Sequence, residues 1–378
     1  MEMKFYVNDV LPSISCCASL VPTKNVMPIL SYILVETYVD VNGTPLAKFT
    51  ASDGENFLAI PCKITSCDVA MRFCVDANDF LKALRNLSDS HVTITVVSGK
   101  TLTCEYENGH FVIPCNDAET FPPSVNVNES ECRRFGVDAK KLSFAIDKAS
   151  VAMGNDPIRP ILSGLNFAIH GNTMTVVGTD AQRLVKIIVD GISNSDNIDG
   201  SFTLPSKPVS VLRSLVGDGA FDVKFSDRHV VFSDGESHLT ARLTEGNYPK
   251  YSSILPISSC SSAIVAKNEF ASAVRRTAPM GNTTSNLIVL EFNDGKVTLS
   301  TEDVDFMKSA KEDVLCTYAD APFKIGFKAS YLSEMVANIN DENVCFELRA
   351  SDTACIVRPV VEFPSTEYIS LIMPMMIE

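Results

Sequence analysis

No stretch of this 378-residue sequence approaches the about 18 consecutive apolar residues that a membrane-crossing helix requires. The start, MEMKFYVNDV, lacks the basic region and apolar run of a secretory signal, so the expectation is a cytoplasmic protein without membrane contact. Twelve cysteines are present, yet none forms a CxxC pair and no histidine stands at zinc-ligand spacing to them. Cys16, Cys17, Cys74, Cys104 and Cys345 fall inside apolar-periodic segments and read as small buried thiols. GxGxxG, GxxxxGK, HExxH and GxSxG are all absent, and His91, His110, His170, His229 and His238 are scattered through strand or turn positions. With no nucleophile, base or metal set, the sequence points away from an enzyme, and no cofactor or metal is expected. Cations are scarce too: 32 Lys and Arg face 46 Asp and Glu, a net charge of −14. That sum argues against a broad phosphate-binding surface, although the distribution matters more than the total.

What the sequence has is a message stated three times. FTASDGENFLAI around Asp53 returns as VVGTDAQRLVKI around Asp180 and as LSTEDVDFMKSA around Asp303, at spacings of 127 and 123 residues. A second marker, containing Leu81, Val209 and Leu332, repeats at 128 and 123. Two markers with one period set the architecture before any local reading. The period is long enough for each copy to bury its own core, which predicts three similar domains at 1–129, 130–257 and 258–378. The recurring aspartates follow Thr or Ser at a strand-to-turn step, and a side-chain-to-backbone turn anchor explains them better than a catalytic acid does.

Most segments alternate with period two between Gly, Asn, Asp and Ser, as antiparallel strands do; Ser98-Gly99 and Asp294-Gly295 read as hairpin turns. Six short stretches switch to helical period, two per copy: 8–20, 78–87, 138–150, 206–215, 267–277 and 328–337. Asn8, Asp79, Asp138, Ser206 and Asn268 are candidate N-caps. The fold class is therefore α+β, antiparallel sheets with two small helices per domain. The helices carry eleven Lys and Arg against six Asp and Glu, a sum of +5 that leaves −19 for the rest. Helices favour Lys and Arg in any case, and the first one carries no cation. Two apolar features stand out: GTDAQRLV with IRPILSGL in the second copy, and LIMPMM in the third. Methionine-rich surfaces adapt to several partners, so these either pack a core or line a site.

The segments KFYVNDVL, TKNVMPIL, IRPILSGLNF, VGTDAQRL, LTEGNYPKYSSILP and the final MPM, in this order over the entire chain, resemble the β subunit of bacterial DNA polymerase III, the sliding clamp family. The resemblance implies a head-to-tail homodimer whose domains close into a ring, with sheets outside and helices inside. It implies double-stranded DNA held by topology and without sequence readout. It also implies a peptide cleft for the clamp loader, the replicative polymerase and other proteins carrying a clamp-binding motif. The positions matching that cleft are Leu162, Thr179, Arg183, Leu184, Pro249, Ile254, Leu371, Met373, Pro374 and Met375. The glycine-histidine usual in the family's TDGHRL motif is Ala181-Gln182 here, and the arginine common after the Pro-x-Tyr segment is Ser253. For DNA the resemblance points to Lys24, Asn155 and Arg159 in loops and to Lys82, Lys140, Lys141, Lys148, Lys207, Arg275 and Arg276 on helices. For the dimer it sets Phe111 and Ile113 against Pro279 and Met280. The alternative reading is a three-domain β-rich adaptor that binds peptides but not DNA.

Overall fold

The computed structural model of the protein describes all residues except 23–26, 69, 89, 98–99, 126, 196, 256–260 and 378. The chain divides into two compact units. The first comprises 1–140, 193–198 and 207–243, and the second comprises 141–192, 199–206 and 244–378. The first carries a 13-stranded antiparallel sheet and the second a 12-stranded one, counted over the described residues.

These units cut across the sequence repeat because strands pair between copies. In the first unit, strand Phe57–Lys63 of copy one pairs with His238–Arg242 of copy two, Leu58 opposite Leu239. In the second unit, Arg183–Asp190 of copy two pairs with Thr366–Ile372 of copy three, Leu184 opposite Leu371. The fourth strand of one copy thus takes the last strand of the next. Backbone bonds continue where the repeat ends.

Six helices lie within one residue of the expected stretches at most of their ends: α1 Val7–Leu20, α2 Ala77–Arg85, α3 Ala139–Ser150, α4 Ser206–Leu215, α5 Lys267–Thr277 and α6 Ala329–Ala337. Each is amphipathic. Phe80 and Leu84 of α2, Leu142, Ala145, Ile146 and Ala149 of α3, and Phe270, Ala273 and Val274 of α5 are buried at three- and four-residue spacing. Burial of each large apolar side chain contributes on the order of 1.5–3 kcal/mol. Asn8 and Asn268 already lie inside α1 and α5, whose cap residues Tyr6 and Ala266 make no side-chain cap bond, and the cap of α2 also differs from expectation. Asp76, not Asp79, accepts the Asn78 and Asp79 N–H groups, both at 3.0 Å. Its extended backbone presents the carboxylate to the first turn, whereas Asp79 is already helical.

The repeated aspartates are turn anchors. Asp53 Oδ1 accepts the Glu55 and Asn56 N–H groups at 3.1 and 2.8 Å. Asp180 Oδ1 accepts those of Gln182 and Arg183, both at 2.9 Å. Asp303 is buried at the equivalent turn. At the next position copy one has Gly54 with φ +95°, and copy two has Ala181 with φ +77°, in the left-handed region that favours glycine. Asp294-Gly295 turns the hairpin between Leu287–Asn293 and Lys296–Asp303 as expected, Gly295 at φ +73°. Ser98-Gly99 lies outside the described residues.

The eleven described cysteines are unbridged and mostly buried. Burial pushes the Cys74 and Cys104 thiols up to about 12, so they stay protonated and inert at neutral pH.

Candidate peptide cleft, charged helices and open strand edges

The residues of the candidate cleft all lie within the second unit. Its floor is the cross-strand pair Leu184–Leu371, which packs with Val177 and Ile356. Tyr248, Tyr251, Leu255 and Ile369 close around this cluster, and the Tyr248 hydroxyl donates to the Val177 carbonyl at 3.3 Å. Burial raises the pKa of both tyrosine hydroxyls, so both remain neutral. Above the floor, Met373 and Ile254 are 40% and 47% exposed, Pro249 is exposed, and Pro374 and Met375 are half-buried. The MPM segment is held by its backbone: Met373 N–H donates to Gln182 and Met375 N–H to Gly326, both at 2.8 Å. A buried apolar floor under exposed flexible side chains can take an apolar anchor from a peptide.

The polar wall is built by the Asp180 turn. Thr179 Oγ1 donates to the Arg183 carbonyl at 2.6 Å and accepts the Ala181 N–H at 3.1 Å. The Arg183 side chain is nearly buried. Its Nε donates to Asp180 at 3.1 Å, its Nη1 donates to Glu334, and its guanidinium lies 4.3 Å from the Tyr331 ring centre. Leu162 is buried in the 3-10 turn Pro160–Leu162. Gly154 sits between it and Asp180, where a Cβ would lie 3.3 Å from the Leu162 carbonyl oxygen and 3.6 Å from Asp180. Strand Thr173–Thr179 enters this site through Gly178, where any Cβ would lie 2.2 Å from the Ala149 carbonyl oxygen.

The cations proposed for DNA have unequal surroundings. Lys82, Asn155 and Arg275 are exposed, Arg275 donating to Ser272 at 3.0 Å. Lys140 is exposed, 3.5 Å from Asp218, and Arg159 pairs with Asp156 at 3.1 Å. Lys141 donates to the Asp190 carbonyl at 2.7 Å, Lys207 pairs with Asp53 at 3.0 Å, and Arg276 pairs with Glu312. Lys148 departs from expectation. It is 5% exposed, and its ammonium donates to the Asn338 carbonyl at 2.6 Å and to Asn340 Oδ1 at 2.9 Å. Desolvation lowers its pKa, and its ammonium ties α3 to the segment that follows α6. Lys24 lies outside the described residues.

Of the dimer residues, Pro279 and Met280 are exposed on the 3-10 turn Ala278–Met280. Phe111 is half-buried and packs at 6.2 Å from Tyr106. Ile113 points inward at 6% exposure, and alternation turns Val112 outward at 56%. Besides the strands that end each sheet, two long strands are paired along one side for only part of their length. Gly109–Asn116 has a second partner only at Cys115 and Asn116, and Lys308–Thr317 only at Cys316 and Thr317.

Comparison with known proteins decides what carries these features. The chain matches three successive descriptions: DNA polymerase III beta subunit, N-terminal domain over residues 1–126, central domain over 136–250 and C-terminal domain over 252–376. The chain belongs to the DNA polymerase III beta subunit family. The beta sliding clamp of Chlamydia muridarum is 25% identical over 99% of both chains, and that of Pseudomonas aeruginosa 25% over 97% of both. A crystal structure of the Pseudomonas aeruginosa sliding clamp bound to griselimycin superposes with a TM-score of 0.89 at 23% identity, covering both chains fully. The beta subunit from Thermotoga maritima superposes at 0.88 with 19% identity, again over both chains. The function is that of the family, a non-catalytic processivity clamp of the replicative polymerase. Within this beta subunit the sequence did not point to Tyr331 and Glu334, which hold Arg183, or to Val177, Ile356 and Tyr251. Their markers were an aromatic and an acid three residues apart on α6 and ordinary apolar alternation, neither distinguishable from a core or a solvated face.

Proposed function

We propose that two copies of this chain close head to tail into a ring that encircles double-stranded DNA, and that partner proteins dock short peptide segments in the Leu184–Leu371 cleft. The observation that carries the ring is the strand pairing. At both junctions within the chain, the fourth strand of one copy takes the last strand of the next. The fourth strand of copy three, Lys308–Thr317, and the last strand of copy one, Gly109–Asn116, are the pair left over. A second chain supplies each with its match, and only a head-to-tail closure uses both. Phe111 and Val112 would then meet Met280 and Pro279 beside the new strand pair. Ile113, already buried, would support from beneath.

The segments 1–129, 130–257 and 258–378 act as three clamp modules, a division supported by family matches at 1–126, 136–250 and 252–376. DNA is held by closure and by weak attraction from exposed helix cations such as Lys82, Lys140 and Arg275. The acidic remainder disfavours contacts elsewhere, and tight phosphate contacts would brake sliding. The cleft receives the clamp loader, the polymerase and other motif-bearing proteins through an apolar anchor on its floor. Such work belongs in the cytoplasm. Light scattering tests the ring: the expected mass is twice 41.1 kDa, falling toward 41.1 kDa in Met280→Glu, which would bury a charge in the junction. A wild-type mass of 41.1 kDa at micromolar concentration would contradict it.

A further inference from the structure

The second unit has another concave site, at the start of strand Thr366–Ile372, whereas the cleft lies at its end. Seven residues at about 3.3 Å each separate the two by roughly 20 Å. The cavity measures about 370 Å³ and lies among α3, the 339–342 segment after α6, and the 359–364 loop. Two features set its chemistry. One is apolar: Phe144 of α3 and Phe363 of the loop stack with centres 4.5 Å apart and planes 13° from parallel. Val361, 70% exposed, lines the cavity beside them, and the neighbouring Val360 is 44% exposed. The other is charge: Asp341, Glu342 and Glu362 line the wall. Lys148, the cation that lines it, has its ammonium committed to Asn338 and Asn340.

The wall is also preformed. Asp341 Oδ2 accepts the Val360 and Val361 N–H groups at 2.8 and 2.7 Å, and Glu362 Oε2 accepts that of Tyr368 at 3.0 Å. The loop therefore costs little ordering entropy on binding.

We propose that this cavity is a second docking site whose occupant is a basic peptide segment of a partner protein, an arginine flanked by apolar side chains. A guanidinium satisfies both halves of the site, since it stacks on aromatic faces and bonds carboxylates through a planar fork. Lysine fits less well, and an anionic segment meets three carboxylates. The exposed Val360 and Val361 at the cavity's edge suit flanking side chains of a chain molecule better than a compact ligand.

Fluorescence anisotropy on the full chain at 0.15 M salt tests this. The probe is a labelled octapeptide alternating arginine and leucine, compared with the same peptide carrying glutamate for arginine. The glutamate peptide should bind at least tenfold more weakly. Phe363→Ala and Glu342→Lys should each raise the Kd of the arginine peptide at least fivefold. Met373→Ala, in the cleft, and Glu105→Lys, an exposed reversal in the first unit, should leave it within twofold. Circular dichroism checks that each variant is folded, and Val361→Asp replaces any that is not. Equal affinity for the two peptides, no binding of the arginine peptide, or an equal effect of Glu105→Lys and Glu342→Lys would overturn the proposal.

Discussion

Lys148 and Asn338 hold each other in both directions. The lysine ammonium donates to the Asn338 carbonyl at 2.6 Å, and the Asn338 side-chain amide donates to the Lys148 carbonyl at 2.9 Å. The same amide reaches the Tyr368 hydroxyl at 3.2 Å. One lysine on α3 of copy two is thereby tied to the end of α6 in copy three. Lys148→Ala should cost about 1–3 kcal/mol in urea denaturation, because it removes charge-assisted hydrogen bonds to the half-buried Asn338 carbonyl and the exposed Asn340 side chain. The salt dependence of DNA retention should not change, since a buried ammonium neutralises no phosphate. A shallower salt slope with unchanged stability would return Lys148 to the DNA-facing set.

Ala181 stands where the first copy has a glycine. Its φ of +77° carries the strain of a Cβ in the left-handed region. Ala181→Gly should stabilise the fold by about 1 kcal/mol, reduced somewhat by the freer unfolded chain. Thermal denaturation reads the sign directly, and a loss of stability would mean that the alanine methyl packs usefully.

Met373 and Leu184 separate binding from folding in the cleft. Leu184 is fully buried, so Leu184→Ala should cost about 2–5 kcal/mol of stability and confound any binding assay. Met373 is partly exposed, so Met373→Ala should leave stability within about 0.5 kcal/mol and weaken a polymerase tail peptide by about 1–3 kcal/mol. Isothermal titration gives the second number. Unchanged peptide affinity would move the docking site elsewhere.

The Asp53–Lys207 pair predicts a pH limb. Burial alone would raise the Asp53 carboxyl, but hydrogen bonds from Asn56 and Lys207 prevail and hold it below its ordinary 3.8. A depressed carboxylate contributes stability that is present above the unfolded value and lost as pH falls through the folded one. As pH falls below the ordinary carboxylate value, stability should therefore fall less steeply in Asp53→Asn than in the wild type. Parallel acid limbs would assign the turn's stability to its other hydrogen bonds.

The period of the repeat and the six helices were legible because each rests on spacing, which sequence displays directly. The burial of Lys148 was not. A lysine on the same helix as Lys140 and Lys141 looks solvated until the end of α6 arrives, 190 residues later, with two acceptors. Nor was the burial of Ile113 legible, since alternation tells which residues share a face but not which face meets the core. Ala181 was visible as a departure from the family motif, yet its cost appeared only with its φ.

The central claim is that the chain holds DNA by enclosing it. The direct measurement loads the dimer, with its clamp loader, onto nicked circular DNA, removes free protein, and follows retention before and after a single cut linearises the circle. Enclosure predicts retention on the circle at moderate salt and rapid loss once ends exist. Equal retention on circle and linear DNA, or none on either after loading, would contradict it.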